Sequence, residues 1–322
     1  AGYDKLIKQD PKNIDFYFAK AYMQIKAEEY RDAITTLDVV EAIIGPDEAV
    51  ITQKQKLWVR LGEIEKAAAE IQKLIDQNPE QPSYYQLLAD MYFSNAQREK
   101  ALQMYEKMLE LDPNNGAALL TIAELAKEEG DKAKFKEYIE RAFTITSIDV
   151  ETKLRILVPY AQQVDAGDEE GSELAFVLAN LLVETHPDDS RVHALYGDLL
   201  YYDEQMEPAL EQYLQALELD SSSYQVWQQT FFLLADLRRY DELAGATESA
   251  LSLYPNQPVV YYFNGVANSQ LKQHEAATEV LEAGKEMVIG NPGLKAQFYS
   301  LLGDSYNSLK KYSKSDEAFD QA

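Results

Sequence analysis

The chain has 322 residues, 46% of them hydrophobic, with no cysteine and a formal net charge of −25. Without cysteine there are no disulfides and no thiolate chemistry. The excess of acid speaks against nucleic acid and anionic membranes as partners, since both need Lys and Arg to neutralise phosphates. No apolar run approaches the ~18 residues of a membrane span, and the polar start Ala1 to Pro11 does not read as a signal peptide.

Hydrophobic residues recur at intervals of 34 residues, with alanines in step at Ala33, Ala67, Ala101, Ala175, Ala209 and Ala277. A fixed period of this size is the mark of a solenoid, in which each unit buries its apolar face on its neighbours. Residues 1–13 read as the tail of a second helix with its closing loop at Pro11, the end of a preceding repeat. With no polar cap helix at either end, the chain reads as a piece of a longer protein.

Four units follow over residues 14–149, starting at Ile14, Glu48, Pro82 and Gly116. In the Pro82 unit, Tyr85, Leu88, Ala89 and Tyr92 mark one face of a first helix, and Asn95 to Glu99 a polar turn. Ala101, Leu102, Tyr105, Met108 and Leu109 mark a second helix, which Asp112-Pro113-Asn114-Asn115 ends. The Gly116 unit is weaker, with Phe135 where a small residue is expected. The unit over 150–189 is irregular. It runs 40 residues, holds Pro159 inside its first helix, and is expected to place six extra residues between its helices in the acidic stretch Asp165–Gly171. Asp165, Asp168 and Glu169 carry the oxygen ligands calcium takes, but their spacing does not match the twelve-residue EF-hand loop; a solvated loop is the reading. Residues 144–172 are thus the expected irregularity of the superhelix; apolar periodicity resumes at Leu174, which favours a bend there over a domain boundary. Units from Ser190, Tyr224, Pro258 and Ala296 fill residues 190–322, and the Pro258 unit is expected to gain four residues in its exit loop around Gly290–Gly293.

The pattern resembles the tetratricopeptide repeat, whose units read W-x2-L-G-x2-Y, then A-x3-F, then A-x4-P. The Pro82 unit matches with Tyr85, Leu88, Ala89, Tyr92, Ala101, Tyr105, Met108 and Pro113. The last unit matches with Tyr299, Leu302, Gly303, Tyr306, Phe319 and Ala322, but carries Ser315 at the small position. The resemblance implies an all-α fold, a right-handed superhelical solenoid of about nine antiparallel helix pairs. It also implies binding through a concave face built from the first helices. On that face it places Phe18 and Tyr22; Gln86, Asp90 and Phe93; Glu124 and Lys127; Asp198, Tyr201 and Tyr202; Gln228 and Phe232; Tyr262; Asp304 and Asn307. Large aromatics at positions facing solvent are enriched at binding surfaces. Relatives that grip the carboxylate tail of heat-shock chaperones use clustered Lys, Arg and Asn. Here the matching positions are Phe18, Tyr22, Thr52, Lys56, Gln86 and Asp90, so that clamp is not expected.

Charge is uneven. Residues 1–161 carry 21 Lys and Arg against 28 Asp and Glu, whereas residues 162–322 carry 9 against 27. No phosphate loop, metal-binding His pair or nucleophile elbow is visible, and His186, His193 and His274 read as structural. No cofactor, metal or catalysis is expected. The leading reading is a scaffold whose concave groove holds a partner protein or peptide, with an acidic C-terminal half selecting basic segments. The alternative is an assembly module of a bacterial envelope or polysaccharide-export complex, packing on a large partner or on itself. A third reading is carbohydrate recognition by groove aromatics. The compartment stays open between cytoplasm and bacterial periplasm or cell envelope.

Overall fold

The computed structural model describes residues 2–165 and 169–322, and among these all regular structure is helical. The helices gather into two compact units, residues 1–147 and 148–322. Unit one starts with α1 (Gly2–Gln9), the tail helix expected there. Four hairpins follow: α2 (Ile14–Lys26) with α3 (Tyr30–Ile44), α4 (Glu48–Arg60) with α5 (Ile64–Gln77), α6 (Pro82–Ser94) with α7 (Arg98–Leu111), and α8 (Gly116–Glu129) with α9 (Lys132–Thr144). Unit two has five. They are α10 (Val150–Asp165) with α11 (Glu169–Thr185), α12 (Ser190–Tyr202) with α13 (Met206–Leu219), α14 (Tyr224–Asp236) with α15 (Tyr240–Leu253), α16 (Pro258–Gln270) with α17 (His274–Lys285), and α18 (Pro292–Ser308) with α19 (Tyr312–Gln321). Within each unit every hairpin packs on the next in chain order.

Local chemistry sets these boundaries. Side chains of Asn13, Asp47, Asn115, Asp131, Asp189 and Asn291 accept backbone N–H groups at helix starts, satisfying donors that would otherwise lack a partner. Pro82, Pro258 and Pro292 open their helices, where a missing N–H costs nothing. The turn inside the eight hairpins other than α10–α11 is equally regular. Glu28, Gly62, Ala96, Gly130, Glu204, Arg238, Lys272 and Lys310, each fifteenth in its repeat, all have φ between 57° and 78°. This left-handed residue reverses the chain in two or three residues and aims both helices at one core.

The small column is the closest contact. Ala33, Ala67, Ala101, Ala175, Ala209 and Ala277 are all fully buried, so paired backbones approach as only a methyl group permits. Ser315, which stands at this position in the last repeat where alanine is usual, is buried too, and its hydroxyl donates to the Gly303 carbonyl at 2.9 Å. Facing this column, Gly197, Gly265 and Gly303 leave room for Tyr213, Leu281 and Phe319. A second column ties each hairpin to the loop before it. Tyr17, Tyr85, Trp227 and Tyr261 each donate to a backbone carbonyl six residues upstream at 2.8–3.1 Å. The His193 ring Nε2 does the same toward Pro187 at 2.8 Å. Rings with a polar tip suit this position, since the body packs while the tip satisfies the loop.

Two insertions are expected from the sequence. Of the stretch expected to loop out of the 150–189 repeat, residues 166–168 lie outside the described residues; on either side of them the helices are longer than in a regular repeat, 16 residues in α10 and 17 in α11. Helix α10 runs on through Pro159, which offers no N–H to the Arg155 carbonyl. Of the three acids weighed and set aside as calcium ligands, Asp168 lies outside the described residues, as does the Asp165 side chain. The four extra residues of the Pro258 repeat become helix. α18 begins at Pro292, one 34-residue period after Pro258, and extends to 17 residues.

Candidate protein-binding face

The first helices carry the residues the resemblance places on a binding face. In unit one these are α2, α4, α6 and α8. On α2, Phe18 is exposed and Tyr22 is 58% exposed, with Lys26 5.5 Å over the Tyr22 ring. Met23, which the sequence reading passed over, stands beside them at 53%. Phe93 on α6 and Glu124 on α8 are also exposed. Asp90 is exposed but committed, accepting the Tyr105 hydroxyl at 2.6 Å. Burial, reinforced by that carboxylate, drives the Tyr105 pKa well above its ordinary value.

In unit two the face is more deeply built. Phe232 on α14 is 48% exposed and rests edge-on against Phe263 of α16, with ring centroids 4.9 Å apart. Tyr262 is half-buried and bridges Phe263 and Phe298 at 5.4 and 5.6 Å. It is a link in an aromatic chain across α14, α16 and α18 rather than a free anchor. Tyr202 is exposed and meets Tyr201 edge-to-face at 6.1 Å, while Tyr201 is itself half-buried against the core. Gln228 is half-buried, and Asp304 and Asn307 are exposed.

Asp198 departs most from expectation. It is half-buried, accepts the Tyr213 hydroxyl at 2.7 Å, and its pKa is raised by burial. A recess of about 270 Å³ opens beside it, walled by α10, α12 and α14. Its aliphatic lining includes Leu154 and Val158, neither foreseen from the sequence, and Val158 is exposed. The charge asymmetry persists in three dimensions. Unit one holds 19 Lys and Arg against 26 Asp and Glu, and unit two 11 against 29.

Two buried lysines also escaped the sequence reading. Lys54 of α4, 1% exposed, is held by Asp38, Glu41 and Glu70 at 2.5, 2.6 and 2.9 Å. Glu41 and Glu70 also bind Lys73. Burial works against the Lys54 charge, but the three carboxylates outweigh it and raise its pKa. Lys153 of α10 is fully buried with its Nζ 3.0 Å from His186 Nε2, and burial lowers its pKa to about 8. The signal was there for Lys54, which occupies the column that Leu88, Ile122 and Leu302 fill in other repeats.

Comparison with known proteins agrees with this architecture. The model of the N-terminal acetyltransferase A auxiliary subunit matches residues 17–148, and a tetratricopeptide repeat model matches residues 296–322. Superkiller protein 3 of Schizosaccharomyces pombe is 21% identical over 99% of this chain and 24% of its own length. The peroxisomal targeting signal receptor of Komagataella phaffii is 25% identical over 56% of this chain and 31% of its own. Tetratricopeptide repeat protein 21B of Xenopus laevis is 21% identical over 33% of this chain and 8% of its own. The chain thus spans less than a third of the length of these relatives. Among solved structures, MamA (residue 41 to the end) of Desulfovibrio magneticus RS-1 is 15% identical. It has a TM-score of 0.45 and covers 52% of this chain and 92% of its own. The Cut9–Hcn1 hetero-tetramer of the APC/C is 17% identical with a TM-score of 0.37, covering 94% and 58%. With its repeated columns and the repeat model matched over residues 296–322, the chain carries the features of tetratricopeptide repeat proteins.

Proposed function

We propose that this chain is the partner-binding part of a scaffold, and that the first helices of each unit hold a segment of another protein. The repeat family is a protein–protein interaction fold, and no catalytic role is part of this reading. The observation that carries it is the exposure of large apolar side chains on first helices, above all Tyr22, Met23, Tyr202 and Phe232. Exposed aromatics of this size serve as interface anchors. The acidity of unit two supports a partner with basic segments there, drawn by charge that salt screens within about 8–10 Å.

The test is affinity capture from lysate of the source organism by the intact chain and by the Tyr202→Ala, Phe232→Ala variant, at low and high salt. The same partner bound by the parent, released by salt and lost in the variant supports the reading. Equal capture by both chains refutes it for unit two. Concentration-dependent mass in sedimentation, with no partner captured, turns the assignment toward self-assembly.

A further inference from the structure

The recess between α10, α12 and α14 measures about 270 Å³, below the roughly 300–1,000 Å³ of clefts that enclose whole small molecules. It is the size of one side chain. Leu154, Val158, Leu195 and Val226 give it an aliphatic lining, and Gln225 and Gln229 add two amides. Asp198 supplies its one carboxylate. Among the described residues Asp198 has no ion-pair partner, and its hydrogen bond comes from a neutral phenol. Arg191, also in the lining, is already committed to Asp189 at 2.7 Å and Glu151 at 2.9 Å. A half-buried carboxylate without a counter-charge is costly, and a cation delivered from outside relieves that cost.

We propose that this recess receives a lysine or arginine side chain from an extended segment of a partner protein. The cationic head pairs with Asp198 while the methylene stem lies along Leu154, Val158, Leu195 and Val226. Long basic side chains combine an apolar stem with a charged tip, which matches an aliphatic recess with one acid. The net charge of −18 in unit two steers such a segment toward it. The assignment rests on the first-helix face being the binding face, and names the side chain that one part of it selects.

The test is an NMR titration of the full-length, 15N-labelled chain at low salt. The probes are three blocked pentapeptides, acetyl-Gly-Gly-X-Gly-Gly-amide, with X lysine, arginine or norleucine; norleucine keeps the aliphatic stem without the charge. Lysine and arginine peptides should shift the amides of Ala194, Leu195, Asp198 and Gln229, and the norleucine peptide should not. Asp198→Asn, which keeps an oxygen acceptor for Tyr213, should weaken lysine binding at least about tenfold with an unchanged melt. Tyr213→Phe leaves the carboxylate in place and should retain binding. Equal shifts from norleucine, an unchanged titration in Asp198→Asn, or shifts confined to other surfaces would overturn the assignment. If a captured basic protein depends on Tyr202 and Phe232 while these peptides leave Asp198 unmoved, this pocket fails and the wider binding face stands.

Discussion

Lys54 offers the sharpest test of how unit one holds together. Its ammonium, 1% exposed, joins three carboxylates from two neighbouring helices: Asp38 and Glu41 of α3 and Glu70 of α5. Glu41 and Glu70 are themselves mostly buried, and the Trp58 indole N–H also donates to Glu70 at 3.3 Å. Lys54→Met keeps the stem volume but leaves two buried carboxylates to share Lys73. Breaking a buried pair in this way costs about 3–5 kcal/mol, which lowers the melting temperature of a unit this size by roughly 6–20 °C. Lys73→Met should cost only about 1 kcal/mol, because that side chain is 39% exposed and Lys54 remains in place. The pH dependence has a defined sign. Burial acts to raise the Glu41 pKa, but hydrogen bonds from Lys54 and Lys73 prevail and hold it below its ordinary 4.5. The stabilisation is therefore complete above that value and is lost as pH falls through the lower folded one. Thermal melts followed by circular dichroism at pH 7 and in acid should show the Lys54→Met penalty shrinking in acid. Equal melting of the Lys54→Met and Lys73→Met proteins, or a penalty unchanged by acid, refutes this account.

Two further outcomes follow from unit two. A Cβ added at Gly265 would sit 2.4 Å from a methyl of the fully buried Leu281. Gly265→Ala should thus lose about 1–3 kcal/mol, and a urea midpoint equal to the parent's would contradict the close packing of α16 on α17. Lys153 has a folded pKa near 8, lowered by burial from 10.5. The unfolded chain then binds more protons across that window, so stability should rise with pH from about 8 upward. Denaturation series should show the rise in the parent and not in Lys153→Met; a rise that survives the substitution assigns it to another group.

The hairpins were legible because their signals are local: periodic apolar residues, closing prolines and a column that is alanine in six of the nine repeats. Ser315 could look like a defect only because sequence does not show the Gly303 carbonyl waiting for its hydroxyl. The exposure of Tyr22 and Phe232 agrees with the positions that the family resemblance gives them. Asp198 and Tyr262 did not stay free, because whether such a side chain is open depends on what the opposite helix brings, and Tyr213 and Phe298 come from other repeats or other helices. The insertion around Gly290–Gly293 was misplaced for a related reason: a polar, glycine-containing stretch reads as a loop, yet a helix start can absorb part of it when its backbone bonds continue.

The lengthened helices of unit two grow only at their ends. At 1.5 Å per residue, three added residues make α10 and α11 each about 4.5 Å longer than the corresponding helices of a regular repeat. Four extend the start of α18 by about 6 Å. Neither shifts the packing columns, since Ala175 and Leu302 remain fully buried. Repeat length is thus free to vary at the rim while contacts between neighbours stay the same. A family built this way can raise ledges one turn at a time, altering what the edge of the stack presents without renegotiating its core.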